Sequence, residues 1–500
     1  MTIILSTVNA RYTHASLGLR YLRANLGELK EQTQILEFVS GLTPGEMVEQ
    51  LLARRPRIIG FGVYIWNVAE ITRVVAILKR LAPDITIILG GPEVSFETAQ
   101  QAIVSHADYV ITGWGEISLP RLCRQILGDD PQARPVPKIQ PGVQAALEDL
   151  ALPYALYSDQ DIAHRTLYVE ASRGCPFKCE FCLSALDKTA WPFDLERFLG
   201  EIENLHARGA RRFKFVDRTF NLNIRTSRRI LNFFLNKIVT NPDDPVFAHF
   251  EVVPDHLPET LTEIIAKFPP GTLQFEIGIQ SWNPEVQALV SRRQDNDSAA
   301  ANLRWLREHT RVHLHVDLIA GLPGEDLASF ARGFDRLYAL GPHEIQVGVL
   351  KRLRGTPIIR HTKSHGLVFD PDPPYSVLAT DRIDFHEMQR LKRFARYWDL
   401  VANSGRFANT LPAMLGNAPF DNFMNWSDWL YSTADTTHGI SLDRLVKLLV
   451  RWLQARGWSE GAAKSLLAGD YAGQPVDLAT KPLAPRKAAL PKRQAQHLAD

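Results

Sequence analysis

Three cysteines stand together as Cys175-Pro-Phe-Lys-Cys179-Glu-Phe-Cys182, and no cysteine follows them. The spacing C-x3-C-x2-C presents three thiolates from one short loop. A four-iron cluster takes four ligands, so three thiolates leave one iron open. An open iron can bind a small molecule and pass it an electron. The competing chemistry is structural zinc, which ordinarily wants a fourth Cys or His close by; the nearest histidines in sequence are His164 and His206. The fourth cysteine, Cys123, shares an apolar helix face with Leu119 and Leu127 and reads as a packed core thiol.

Four cysteines in 500 residues make no disulfide framework, and the clustering of three points to a reducing compartment and a metal. Hydrophobic residues make up 45% and charged residues 22%, as in an ordinary globular protein. The formal net charge of +2 gives no electrostatic case for nucleic acid as the main partner. No run of about 18 apolar residues offers a membrane span. The start, Met1-Thr-Ile-Ile-Leu-Ser6, enters a strand-like run without a basic leader, so a cytoplasmic location is expected.

The elements that must position this loop fall into three pieces. Residues 1–135 alternate strand and helix. Ile3–Val8, Gln34–Phe38, Arg57–Val63, Ile85–Leu89 and Tyr109–Thr112 are short apolar runs. Between them lie helical patterns, Ser16–Leu29 and Val68–Leu81, the latter with Val68, Ile71, Val74, Val75 and Leu78 at helical spacing. Near-continuous apolar strands imply a parallel sheet buried on both faces, hence a doubly wound, Rossmann-like (flavodoxin-like) α/β fold that binds ligands at the carboxyl ends of its strands. The floor of that site would be Asn9 to His14, Gly62 to Asn67 with Tyr64, Gly90-Gly91-Pro92-Glu93, and Gly113-Trp114-Gly115-Glu116. Residues 136–160 read as a proline-rich linker.

Residues 161–355 carry strands with period two. Thr272–Gln280 sets Gln274, Glu276, Gly278 and Gln280 against Leu273, Phe275, Ile277 and Ile279. Val312–Leu318 sets His313, His315 and Asp317 against apolar partners, and Val246–Val252 and Glu344–Val349 alternate likewise. Helical stretches such as Leu195–Ala207 and Ala328–Leu340 lie between most of them. Helices outside and polar faces inside give a partial (β/α)6 barrel with a polar lumen built to hold something polar, unlike the branched apolar filling of an ordinary (β/α) barrel. An open antiparallel sheet with one wet side is the alternative. His313, His315 and Asp317 as ligands of one metal ion would be spaced about 7 Å apart along a straight strand, awkward for a tetrahedral ion. Residues 356–473 are mainly α-helical and rich in tryptophan, with Asn403-Ser-Gly-Arg-Phe407 and an amphipathic Ser441–Arg456; a cap over the barrel mouth is one expectation. The tail, 474–500, has the composition of a disordered segment.

At the cysteine loop the sequence resembles the radical S-adenosylmethionine (SAM) superfamily, whose C-x3-C-x2-C has an aromatic residue, here Phe181, before the third cysteine. Further matches are Val216-Asp-Arg-Thr-Phe-Asn221, Glu276-Ile-Gly-Ile-Gln-Ser281 and Asp317-Leu-Ile-Ala-Gly-Leu-Pro-Gly-Glu325. The N-terminal piece looks like the cobalamin-binding domain that precedes the barrel in one class of this superfamily, on Gly90-Gly91-Pro92-Glu93 and the Gly113 to Glu116 turn; that class often has Glu where Trp114 stands. The third piece resembles a domain of unknown function attached to such proteins. The older cobalamin signature, D-x-H-x-x-G, gives cobalt a histidine; here Tyr12-Thr-His-Ala-Ser-Leu-Gly18 lacks the Asp and has one residue too many, so His14 is a weak match for that role.

The resemblance implies a [4Fe–4S] cluster on Cys175, Cys179 and Cys182, SAM on its open iron, and reductive cleavage to methionine and a 5′-deoxyadenosyl radical. It implies Glu276, Gln280 and Ser281 as contacts to ribose or methionine groups of SAM, Asp217 and Asp317 at the same rim, and Ile319 and Gly321 on the adenine side. Asn9, Tyr64, Gly90, Gly91, Glu93, Gly113, Gly115 and Glu116 would bind cobalamin. The expected function is methylation of an unactivated centre in a small-molecule substrate, with a flavodoxin- or ferredoxin-type electron donor. A non-methylating radical reaction and a non-catalytic cofactor sensor are the alternatives.

Overall fold

The computed structural model describes residues 2–128, 136–187 and 189–471; the tail from 474 lies outside them. Six parallel strands, β1 (Ile3–Asn9), β2 (Thr33–Val39), β3 (Ile58–Gly62), β4 (Thr86–Gly90), β5 (Tyr109–Thr112) and β6 (Ile139–Pro141), form the first sheet in the order β2-β1-β3-β4-β5-β6. Strand β1 is buried over its whole length. It tolerates Ser6 and Thr7 there because their hydroxyls donate to the carbonyls of Leu36 (2.8 Å) and Gly62 (2.7 Å). Cys123 is fully buried among Leu119, Leu122 and Ile111, and burial pushes its thiol up to about 12.

Two expectations need correction. The supposed linker supplies β6, a three-residue edge strand ending in proline, and a short helix, Asp159–His164. Such a strand is too short and too exposed to carry an alternating pattern. The helix read as Ser16–Leu29 spans only Leu17–Ala24, with the Ser16 hydroxyl capping Leu19 N and Asn25 closing its end; a tighter 3-10 turn, Gly27–Gln32, follows, opened by Gly27 at φ 61°.

The second sheet is also all parallel. Strands β7 (Leu167–Val169), β10 (Arg212–Phe215), β11 (Phe247–Val252), β12 (Leu273–Gln280), β13 (His313–Ala320) and β14 (Glu344–Val349) run in the order β14-β13-β12-β11-β10-β7, with no pairing between β14 and β7. A small hairpin, β8 (Ser172–Arg173) and β9 (Trp191–Pro192), flanks the cysteine loop. Burial along β12 alternates at every residue. The polar lumen is largely paired within itself: Lys214 Nζ and His249 Nε2 each lie 3.1 Å from Glu276, His315 lies 3.2 Å from Asp317, and His313 lies 3.1 Å from Glu344. Glu251, Glu276, Gln280 and Asp317 of this inner face also line a cavity.

The third piece meets the rim through Ile358, Arg360 and His361 on Glu180 of the cysteine loop, and its helices lie against the outer side of the barrel. Its helices Phe385–Val401 and Pro419–Ala434 build onto helix Leu327–Ala339, where Phe334 meets Phe394 and Trp398 edge-on at 5.1 and 4.8 Å between ring centroids. Asn403 seals the open edge of the barrel: its amide donates to Ile345 O and accepts from Ile345 N, both at 3.0 Å. Among the described residues no helix is long and apolar enough to cross a membrane.

Candidate functional site

The cysteine loop leaves the barrel after β7 and is pinned by its backbone. Cys175 N donates to Asp187 O (2.9 Å) and Cys182 N to Cys179 O (3.1 Å). Gly174 has φ 96°, and a Cβ there would lie 2.6 Å from Thr189 Oγ1, so glycine is required for the loop to start. Glu180 is buried and acts as an anchor. Its N–H donates to Val290 O, Ile358 N donates to its carbonyl, and its carboxylate takes the Ser291 hydroxyl (2.6 Å), the Arg360 guanidinium (2.5 Å) and His361 Nε2 (3.0 Å). The three thiols line one cavity of about 230 Å³ with Arg218, Glu251, Glu276, Gln280, Arg292 and Asp317. Burial raises the thiols of Cys175 and Cys179, and Arg292, 3.7 Å from Cys179 Sγ, opposes that at Cys179.

Gln280 is the most constrained residue of this wall. Its φ is 68°, and the register of β12 against β13 slips between Gly278 and Gln280. Gly278 makes the arrangement possible, since a Cβ there would sit 2.2 Å from Gln280 Nε2. The Gln280 Oε1 is buried without a hydrogen-bond partner, an acceptor free for a bound molecule. Beside it, Arg218 holds Glu251 through two contacts of 2.7 and 2.8 Å.

Of the residues expected around SAM, Glu276, Gln280 and Asp317 line this cavity and four do not. Ser281 donates to buried Glu325 (2.6 Å). Asp217 accepts from Ala171 N (2.9 Å) and the Ser172 hydroxyl (2.6 Å), tying β7 to the next turn, and burial pushes its carboxyl up to about 7. Ile319 packs on the core, and Gly321 faces Val377 and Met388. Arg218, Glu251 and Arg292 are additions; the two arginines and Arg218's turn lie outside the alternating pattern, and nothing in the periodicity marks them.

A larger cavity, about 680 Å³, opens at the carboxyl ends of β1, β3, β4 and β5, at the switch in strand order. Asn9, Tyr64, Gly90, Gly91, Gly113, Gly115 and Glu116 line it, as does His14. Gly91 has φ 105° and no room for a side chain, because a Cβ would fall 2.5 Å from Val63 O; in front of Gly113 a Cβ would meet open space. Asn67 locks the β3 turn by donating to Thr7 and Val8 and accepting from Tyr64 N. Tyr64 stacks on Trp66 at 4.5 Å. His14 Nδ1 is held 2.5 Å from Tyr168 OH, and burial lowers its basicity. Glu93 stands apart: it is buried against Arg354 Nε (2.8 Å) and Tyr375 OH (2.8 Å), fastening this domain to the chain that follows the last barrel strand. Tyr168, Glu170, Arg173 and Val216 of the barrel complete the lining, so the two cavities are neighbours.

The chemistry of these linings fits the implied groups. Three thiols around a small cavity suit a cluster with an open iron, and Arg292 donates to one sulfur. A large, mainly apolar cavity floored by side-chain-free glycines suits a flat macrocycle such as cobalamin.

Comparison with known proteins agrees. The B12 binding domain family matches residues 4–123, the radical SAM superfamily residues 169–337, and a family of unknown function, DUF4080, residues 363–489. The cobalamin-dependent radical SAM methyltransferase TokK of Streptomyces tokunonensis is 24% identical over 331 residues, 58% of this chain and 46% of that protein. The 2-(S-pantetheinyl)-carbapenam-3-carboxylate methyltransferase of Streptantibioticus cattleyicolor is 24% identical over 328 residues, again 58% and 46%. The chain thus spans about half the length of these relatives. In fold it is similar to the radical SAM methyltransferase TsrM from Kitasatospora setae, solved with cobalamin and a [4Fe–4S] cluster (TM-score 0.56, 18% identity, 74% of this chain and 76% of that one). The chain thus carries, in this order, matches to a B12 binding domain, to the radical SAM superfamily and to DUF4080.

Proposed function

We propose that this protein is a cobalamin-dependent radical SAM methyltransferase acting on an unactivated centre of a small molecule. One arrangement carries the reading: three thiols and the strained Gln280 share a wall at the carboxyl ends of the barrel strands, beside a glycine-floored cavity that the same barrel helps to line. When bound, the [4Fe–4S] cluster supplies an electron for cleavage of the C5′–S bond of SAM, and cobalamin supplies a methyl carrier. The chain's own residues bind and orient. Cys175, Cys179 and Cys182 hold the cluster. Gln280 Oε1 accepts from SAM, Glu276 and Asp317 border it, and the Arg292 guanidinium offsets negative charge at Cys179 and at a carboxylate. Arg218 holds the Glu251 carboxylate at the mouth. Glycines at 90, 91, 113 and 115 let backbone approach the corrin. Such chemistry belongs in the cytoplasm, where thiols stay reduced and a flavodoxin- or ferredoxin-type donor supplies electrons. Anaerobic protein with reductant, SAM and cobalamin is expected to release 5′-deoxyadenosine, and Cys179→Ala to release none. Fully reconstituted protein that leaves SAM intact would remove the proposal.

A further inference from the structure

Between the two cavities an indole of the N-terminal domain reaches across the domain boundary to the cysteine loop. Trp114 follows β5 and lines the larger cavity. Its Nε1 donates to Asp187 Oδ2 at 3.2 Å. Asp187 is the residue whose carbonyl accepts from Cys175 N at 2.9 Å. Its other carboxylate oxygen takes Thr189 N (3.1 Å) and lies 2.7 Å from the Thr189 hydroxyl, which is also 3.1 Å from Arg173 O.

Two glycines of the junction have no room for a side chain. A Cβ on Gly174 would fall 2.6 Å from Thr189 Oγ1 and 2.7 Å from Ala190 N, and a Cβ on Gly142 would fall 2.1 Å from Trp114 O. The Trp114 turn is therefore braced from behind, and the start of the cysteine loop is pressed against Thr189 and Ala190. Arg173, two residues before Cys175, closes the junction. It pairs with Glu116 and Glu170 at 2.6 Å each, and its guanidinium lies 4.6 Å from the Trp114 ring centroid. Trp114, Glu116, Glu170 and Arg173 all line the larger cavity, whereas Cys175 lines the smaller one.

We propose that Trp114 is a positioning residue for the cysteine loop, acting through Asp187, so that filling the larger cavity and loading the cysteine site are thermodynamically linked. This rests on the reading that the cavity takes cobalamin and the loop a cluster. A ligand against the Trp114 turn fixes the indole, the indole fixes Asp187, and Asp187 fixes the Cys175 backbone. Linkage of this kind is reciprocal.

The test uses the full chain, hydroxocobalamin as the probe, and two readouts that need no turnover. Cluster loading is expected to tighten hydroxocobalamin about five-fold or more, and hydroxocobalamin to slow iron loss to a chelator. Trp114→Phe keeps a ring over Arg173 but removes the N–H; Asp187→Ala removes the acceptor. Each is expected to bring both ratios to about one, and the double variant to go no further than either alone. A residue that merely stabilises the fold would weaken both cofactors and leave the ratios standing. Wild-type ratios of one with both cofactors bound, or wild-type ratios in either variant, overturn the linkage. A wild-type chain that takes up no hydroxocobalamin or no iron overturns the cofactor reading itself, and the linkage with it.

Discussion

Gln280 occupies a left-handed backbone conformation, with φ 68°, that disfavours a side chain by on the order of 1 kcal/mol or more. The strain persists because the bulge at Gly278 aims the amide into the cysteine cavity. Glycine at this position relieves the strain and removes the acceptor. Gln280→Gly is therefore expected to unfold no earlier than the parent in a thermal scan, while 5′-deoxyadenosine release falls at least about ten-fold, the scale of one lost hydrogen bond to a charged group. A variant that loses both together would contradict the role given to the amide. The same bulge explains what the sequence could and could not reveal. Alternation along β12 and β13 put Glu276, Gln280 and Asp317 on the inner face, where they lie. It cannot follow the chain past a bulge, so Ser281 turns away to Glu325. Arg292 sits in a turn with no period at all, and its approach to Cys179 is visible only in three dimensions.

At the scale of elements, the barrel is held at an edge and at a buried acid. Asn403 stands in for a missing strand beside β14. Asn403→Ala leaves the N–H and C=O of Ile345 without partners in a buried place, and is expected to cost about 2–4 kcal/mol, read as an earlier denaturant midpoint with SAM cleavage retained where the protein is folded. Glu325 is buried and hydrogen-bonded to Ser281, and burial pushes its carboxyl up to about 7, against about 4.3 when unfolded. A raised folded value means that the protonated form is favoured by folding. Its stabilising contribution is full below about 4.3 and lost as pH rises through about 7. The thermal midpoint is thus expected to decline between pH 5 and pH 8, and Glu325→Gln to decline less, with buried Asp217 supplying the remaining slope. Equal slopes would rule Glu325 out as the source. Strands β11 to β14 were legible because each couples one apolar face to one mainly polar face over six residues or more, whereas β7 and β10, of three and four residues, are too short to carry a period. Strand β6 was not legible, being three residues long and exposed at both ends, and Asn403 was visible only as part of an unexplained motif.

For the molecule as a whole, the two cavities matter only if the domains stay docked. Glu93, read from sequence as a cofactor contact, is a docking residue instead: its buried carboxylate meets Arg354 and Tyr375. Arg354→Ala leaves that charge buried without its cation and is expected to cost about 3–5 kcal/mol, measured as a lower thermal midpoint; recovery in the double variant Glu93→Gln, Arg354→Ala would show that the uncompensated charge is the cause. The order of domains was legible because each carries its own pattern, a strand-and-turn alternation before the cysteines and a polar-faced barrel behind them. Their docking was not, since Glu93, Arg354 and Tyr375 are far apart in the chain and share no period. The proposed chemistry needs an iron–sulfur cluster and a cobalamin in one chain. Elemental analysis of the full chain, reconstituted without oxygen and desalted, counts both. About four irons and about one cobalt per chain are predicted, with the iron lost and the cobalt kept when Cys175, Cys179 and Cys182 are replaced by alanine. A single zinc per chain, or iron retained by the triple variant, would contradict the account.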